Sequence, residues 1–169
     1  MNEKIKFENI NKIGVVSDLH IPLNAKKIPK IIIERFKQVD LILIAGDIVT
    51  IKPIQELEKL APVVAVHGNM DYPELASKLP TKIIIEVNNF KIGLTHSHGS
   101  PDTTTQNAKA MFNNVDCIVF GHSHQPMNEI IENTLMFNPG SATGNRLTNQ
   151  NTFGILTINN QITGEILNI

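Results

Sequence analysis

Short apolar runs rich in β-branched residues punctuate this chain, and most of them stop abruptly at a polar cluster. Residues 13–17, 41–45, 62–66 and 115–120 are apolar nearly throughout, the pattern of strands covered on both faces. Helical signals lie between the first three. Ile28, Ile32, Ile33 and Phe36 fall on one face of a predicted helix over 28–39, with Pro29 in its first turn. Pro53 opens a second predicted helix through residue 60, and Pro73 a third through residue 79. Beyond residue 80 strands dominate. Residues 82–87 and 90–95 flank Asn88-Asn89 as a hairpin. Ser100-Pro101-Asp102 starts a helix reaching to about residue 113, and residues 128–138, 152–158 and 161–168 read as a meander, with a tight turn at Asn159-Asn160.

This order, βαβαβ followed by hairpins, predicts an α/β domain whose mixed sheets pack between helices. With 169 residues and no repeat or linker, residues 1–169 are expected to form a single domain, with 1–11 as a short polar N-terminal extension. Fifteen basic residues against sixteen acidic ones give no extended nucleic-acid surface and no membrane-surface signature. No apolar run approaches the roughly 18 residues of a membrane span, and residues 1–11 do not resemble a secretory leader. One cysteine, Cys117, allows no intrachain disulfide, so the expected setting is a reducing cytoplasm.

The polar clusters carry the chemistry. All six histidines lie in them: His20 in Ser17-Asp18-Leu19-His20, His67 in His67-Gly68-Asn69-Met70-Asp71, His96 and His98 in Thr95-His96-Ser97-His98, and His122 and His124 in Gly121-His122-Ser123-His124. Ala45-Gly46-Asp47 adds a carboxylate. Ligand sites in α/β sheets form beyond the carboxyl ends of strands, so five strand ends can converge on one rim. Imidazoles, carboxylates and a carboxamide gathered there suit two divalent cations. Asp18 with His20, and His122 with His124, are two residues apart, and extended backbone would point each pair to one side as a pincer. A carboxylate such as Asp47 can bridge two cations, which can hold a bridging hydroxide and both oxygens of a phosphoryl group.

The ordered set Asp18-x-His20, Gly46-Asp47, Gly68-Asn69-x-Asp71, His96 and Gly121-His122-x-His124 resembles the calcineurin-like metallophosphoesterase superfamily. Residues 138–143, Asn-Pro-Gly-Ser-Ala-Thr, look like a segment of its small single-domain archaeal and bacterial phosphodiesterase branch. The resemblance spans residues 13 to 146. It implies a four-layer αββα sandwich of two mixed β-sheets flanked by helices. It also implies two metal positions, the first held by Asp18, His20, Asp47 and His124, the second by bridging Asp47 with Asn69, His96 and His122. The implied activity is hydrolysis of a small phosphodiester by a metal-bridging hydroxide, with Asp47, Asn69 and His98 as the catalytic residues. Met70 stands where many members carry a histidine that assists the leaving group or phosphate, and a thioether cannot donate a proton. The small branch commonly lacks that histidine too.

Manganese or nickel best suits mixed nitrogen and oxygen ligands; iron, zinc, cobalt and magnesium are the other choices. An alternative is a non-catalytic protein-interaction scaffold, since a small retromer subunit shares the fold, and a homo-oligomer is compatible with either. A full set of seven ligand types favours the enzyme. Other features have plainer roles. His67 reads as a strand-end residue, His98 as a contact to phosphate or as a support behind the ligands, and Asp71 as orienting Asn69 or its loop. Cys117 reads as core, Gly140 as a turn residue, Lys30, Arg35 and Lys37 as a solvated helix face, and Arg146 as a solvated loop residue with a phosphate contact as the alternative.

Overall fold

The computed structural model describes residues 5–144 and 149–169. Arg146 lies outside the described residues. Among the described residues eleven strands build two mixed sheets. In the five-stranded sheet, β2 (Lys12–Val16), β3 (Leu41–Ala45) and β4 (Val63–Val66) run parallel, β10 (Thr152–Ile158) is added antiparallel beside β2, and β11 (Ile162–Asn168) pairs antiparallel with β10 at the edge. The six-stranded sheet has the order β1 (Ile5–Phe7), β5 (Lys82–Val87), β6 (Phe90–Thr95), β7 (Cys117–Val119), β9 (Thr134–Asn138), β8 (Met127–Ile131). The helices α1 (Lys30–Phe36), α2 (Lys52–Leu57), α3 (Pro73–Ala76) and α4 (Pro101–Ala110) cover them.

Three apolar clusters define four layers. Between the sheets, Ile13, Val15, Leu41 and Leu43 pack with Ile85, Ile92, Cys117 and Phe137. Behind the five-stranded sheet, Ile42, Ile44 and Phe153 meet Ile32, Phe36, Ile54, Leu57 and Leu75 of α1, α2 and α3. Behind the other, Ile118, Phe120 and Met136 meet Ala108 and Phe112 at α4. β3 is fully buried along its length because alternate residues serve two of these layers, which explains its unbroken apolar run. Each such side chain contributes about 1.5–3 kcal/mol of burial. This is the αββα sandwich that the resemblance implied.

Several local expectations change. Residues 5–7 are a strand, parallel to β5, because Ile5 and Phe7 pack against the intersheet core. The expected meander is two hairpins in different sheets: β8–β9 pairs onto β7, while β10–β11 pairs onto β2. The first turns through Glu132 and Asn133, both at positive φ, a conformation matched to hairpin twist. The Asn88-Asn89 hairpin stands, with Val87 opposite Phe90. Helices α1 and α4 are shorter than the expected 28–39 and 100–113, ending in turns at residues 37 and 111.

Candidate metal centre

Five strands deliver the polar clusters to one rim: Asp18 and His20 follow β2, Asp47 follows β3, Asn69 follows β4, His96 follows β6, and His122 and His124 follow β7. Because β2, β3 and β4 are parallel, as are β6 and β7, all five clusters leave at carboxyl ends. The expected pincers are a correction, since the paired residues are not extended. Asp18, His20, Asp47, His122 and His124 all have φ between 44° and 70°, the left-handed region. Each reversal turns a side chain inward that an extended chain would carry past the site.

The loops are held in these conformations by backbone bonds. Asp18 N–H donates to Gly46 O (3.1 Å) and His20 N–H to Asp47 O (2.9 Å). The Asp71 carboxylate accepts from Ile48 N (2.6 Å) and Val49 N (2.5 Å) through one oxygen and from Gly68 N (2.7 Å) through the other. This ties the Asp47 loop to the Asn69 loop and holds Val49 at φ 81°, where a β-branched residue is strained by about 1–3 kcal/mol. Asp71 thus orients its loop, as its position suggested.

Two glycines make room. A Cβ at Gly121 would strike Ser17 Oγ and lie 2.9 Å from Asp18 Oδ2, and one at Gly68 would strike the Asp47 carboxylate. Ser17, which sequence reasoning passed over, donates to Asp18 Oδ2 (2.5 Å) and stands 2.9 Å from Ala45 O. Its neighbour Asp18 was the only signal for it. The segment after β9 also straps the loop from outside: Ala142 N–H donates to Ser17 O (3.2 Å), Ser141 Oγ to Asp18 O (3.0 Å) and Thr143 Oγ1 to Leu19 O (2.5 Å). Gly140 has φ 77° and serves its turn.

Within the rim the ligand atoms converge. Asp18, His20 and His124 offer atoms within 4.8 Å of one another, as do Asp18, Asp47 and His96. Three imidazoles have their tautomers set by carbonyls, which only accept. His96 Nδ1–H donates to Ala45 O (2.7 Å), His122 Nε2–H to Gly99 O (2.8 Å) and His124 Nδ1–H to Gly144 O (2.9 Å). The other nitrogen of each faces inward. His124 Nε2 is 3.0 Å from Asp18 Oδ1, and His96 Nε2 is 3.3 Å from Asp47 Oδ2. Asn69 Oδ1 is 3.2 Å from His96 Nε2 and 3.1 Å from His122 Nδ1. His20 Nε2 is 3.7 Å from both Asp18 Oδ1 and Asp47 Oδ2.

Lone pairs facing lone pairs at such distances repel unless positive charge lies between them. Asp18 Oδ1 is buried with no aligned hydrogen-bond donor among the described residues. Electrostatics carry the same sign. Burial raises the Asp18 carboxyl pKa, but facing His124 and His20 more than reverse this and hold it far below the usual carboxylate range. Burial lowers His96, yet Asp47 and Asp18 outweigh it and push the imidazole up to about 9. His124 is likewise raised, chiefly by Asp18. A site that gathers protons this strongly, with oxygen and nitrogen donors preset, fits divalent cations.

The remaining predicted residues fall outside this cluster. His98 is exposed, and its hydrogen bond among the described residues is through its backbone oxygen, to Asn107. His67 is half-buried against its neighbour's carbonyl. Met70 is exposed, although its N–H donates to Asp47 Oδ1 (2.7 Å). Cys117 is buried in β7, where burial pushes its thiol pKa far up.

A two-sheet αββα sandwich with an imidazole and carboxylate cluster at its strand ends defines the class of metal-dependent phosphoester hydrolases. Comparison with known proteins agrees. The calcineurin-like phosphoesterase superfamily domain matches residues 12–161, so the chain belongs to that superfamily. A probable metallophosphoesterase of Methanothermobacter thermautotrophicus is 36% identical, over 92% of this chain and 91% of its own. An archaeal phosphodiesterase structure superposes with a TM-score of 0.76 at 27% identity, covering 94% of this chain and 99% of that one. A zinc-complexed Vps29 from Entamoeba histolytica superposes at 0.72 with 25% identity, covering 93% and 98%.

Proposed function

We propose that the chain is a phosphodiesterase dependent on two divalent cations, manganese or nickel in first place. The residues that would hold the first are Asp18, His20, Asp47 and His124; those for the second are Asp47, Asn69, His96 and His122. The observation that carries this reading is the set of ring nitrogens, oriented from behind by carbonyls, that aim at carboxylate oxygens, with Asp18 Oδ1 lacking an aligned donor among the described residues. When bound, two such cations polarise a phosphoryl oxygen and lower the pKa of water toward neutrality.

The chain's own groups do the rest. The carbonyls of Ala45, Gly99 and Gly144 each accept from one nitrogen of His96, His122 and His124, which turns the other nitrogen of each ring toward the centre as a ligand. Asp47 is fixed by Met70 N–H and lies between the two groups. His98, beside the rim on the loop after β6, is the candidate to hydrogen-bond a phosphoryl oxygen. With Met70 unable to donate a proton, substrates whose alcohol departs unaided are expected to react best, and diesters better than monoesters. The buried lone thiol Cys117 supports a reducing, cytoplasmic setting.

A protein-interaction scaffold is the second reading, supported by the Vps29 likeness. Against it, every ligand type is retained at the rim. Turnover of bis(p-nitrophenyl) phosphate by metal-loaded protein decides between them. Hydrolysis that disappears on chelation supports the enzyme, and a fully loaded chain that turns over no phosphoester supports the scaffold.

A further inference from the structure

Among the described residues eight large apolar side chains stand out from the surface, and Leu23, Ile51, Met70 and Tyr72 make up half of them. The others, Ile31, Ile84, Ile130 and Ile169, are spread singly over four segments and need no explanation. The first four come from three loops lying side by side at the rim. Ile21 bridges Val49 in parallel, and Tyr72 N–H donates to Val49 O (3.1 Å) from the other side. Leu23 sits in the turn closed by Asn24 N–H on His20 O (2.7 Å), and Met70 hangs on Asp47 by its own N–H. Leu23 and Met70 therefore each adjoin a ligand candidate. Farther out, Tyr72 and Ile51 line a shallow groove with Val49 and Leu75, and Thr50, Glu74 and Lys78 add polar atoms.

A phosphoryl group at the centre must send an esterified group outward, and the three loops on this side of the rim carry an exposed phenol ring, a thioether and aliphatic side chains. Those surfaces complement a planar aromatic group: Tyr72 can stack on it, and a polarizable sulfur favours an aromatic neighbour. A methyl or other small ester would leave them wet. Resting on the phosphodiesterase reading, we propose that Met70 and Tyr72, with Ile51 and Leu23, form the subsite for the substrate's ester group and that this group is aromatic. Position 70 thereby exchanges proton donation for apolar recognition.

Tyr72 is the chain's single tyrosine and there is no tryptophan, so tyrosine emission, excited at wavelengths the seven phenylalanines do not absorb, reports this subsite alone. Phenylphosphonate and methylphosphonate, which share one anionic head, are titrated into zinc-loaded protein and followed by fluorescence and calorimetry. Phenylphosphonate is expected to alter Tyr72 emission and to bind roughly tenfold more tightly, the scale of one aromatic stack. Tyr72→Ala and Met70→Ala should each shrink that preference while both proteins still take up zinc. Equal affinity of the two phosphonates in wild type, or an unchanged preference in both variants, overturns the subsite while leaving the phosphodiesterase reading intact. Emission that shifts with protein concentration alone overturns it too, in favour of a second copy covering this face. Failure of both phosphonates to bind zinc-loaded protein that still hydrolyses bis(p-nitrophenyl) phosphate overturns the subsite alone; the same failure without hydrolysis removes the phosphodiesterase reading, and the subsite with it.

Discussion

His124 Nε2 stands 3.0 Å from Asp18 Oδ1 while the other nitrogen of the same ring, Nδ1, donates to the Gly144 carbonyl at 2.9 Å. One ring is thus oriented from behind and aimed at a buried oxygen that has no aligned donor among the described residues. The pairing joins the loop after β7 to the loop after β2, across the junction of the two sheets.

Metal dependence is the first consequence. Chelator-stripped protein is expected to be inactive and to regain diester hydrolysis with manganese or nickel, more weakly with magnesium, which prefers oxygen ligands and keeps its waters. Elemental analysis of the active form should give two cations per chain. Undiminished turnover after exhaustive chelation would rule this out.

Asp47→Ala and Asn69→Ala should abolish turnover, because one removes the shared carboxylate and the other the oxygen facing His96 and His122. Cys117→Ala should leave turnover per folded molecule nearly intact, at a stability cost of about 1 kcal/mol for the lost packing. A folded but inactive Cys117→Ala protein would contradict the placement of that thiol in the core.

Asp71→Asn tests the tie between loops. Its new NH2 would face backbone N–H donors that the carboxylate now accepts, costing about 1–3 kcal/mol. Metal affinity should fall roughly 10- to 100-fold, as for other groups that orient ligands. Calorimetric metal titration together with a melting curve measures both, and unchanged affinity would mean the Asn69 loop holds itself.

Gly121→Ala places a methyl group against Ser17 and Asp18. Loss of metal uptake with most of the fold retained by circular dichroism is the expected result. Normal loading would show that the β2 loop yields more easily than its hydrogen bonds suggest.

His98→Ala should lower the turnover number while metal content stays at the wild-type value, since the ring lies outside the converging cluster. Equal kcat in wild type and variant would return His98 to the solvent. Met70→His, in parallel, should narrow the gap between activated and poor leaving groups.

Much of this protein was legible in its sequence because local rules sufficed. The runs of β3 and β7 are apolar without alternation because both faces are covered, and the Asn88-Asn89 turn needs only two neighbouring residues. The donor types at the strand ends follow from residue identity alone. Tertiary structure decided what depends on distant partners. Ile5–Phe7 is a strand only because β5 offers an edge and the intersheet core accepts its apolar side chains. The two C-terminal hairpins enter different sheets because β7 and β2 each present an open edge, which hydrophobic period does not encode. The inward aim of Asp18, His20, His122 and His124 rests on left-handed backbone fixed by bonds to loops far along the chain, so spacing alone suggested an extended pincer. Residue chemistry set what the rim can bind, and long-range hydrogen bonding and packing set where each atom points.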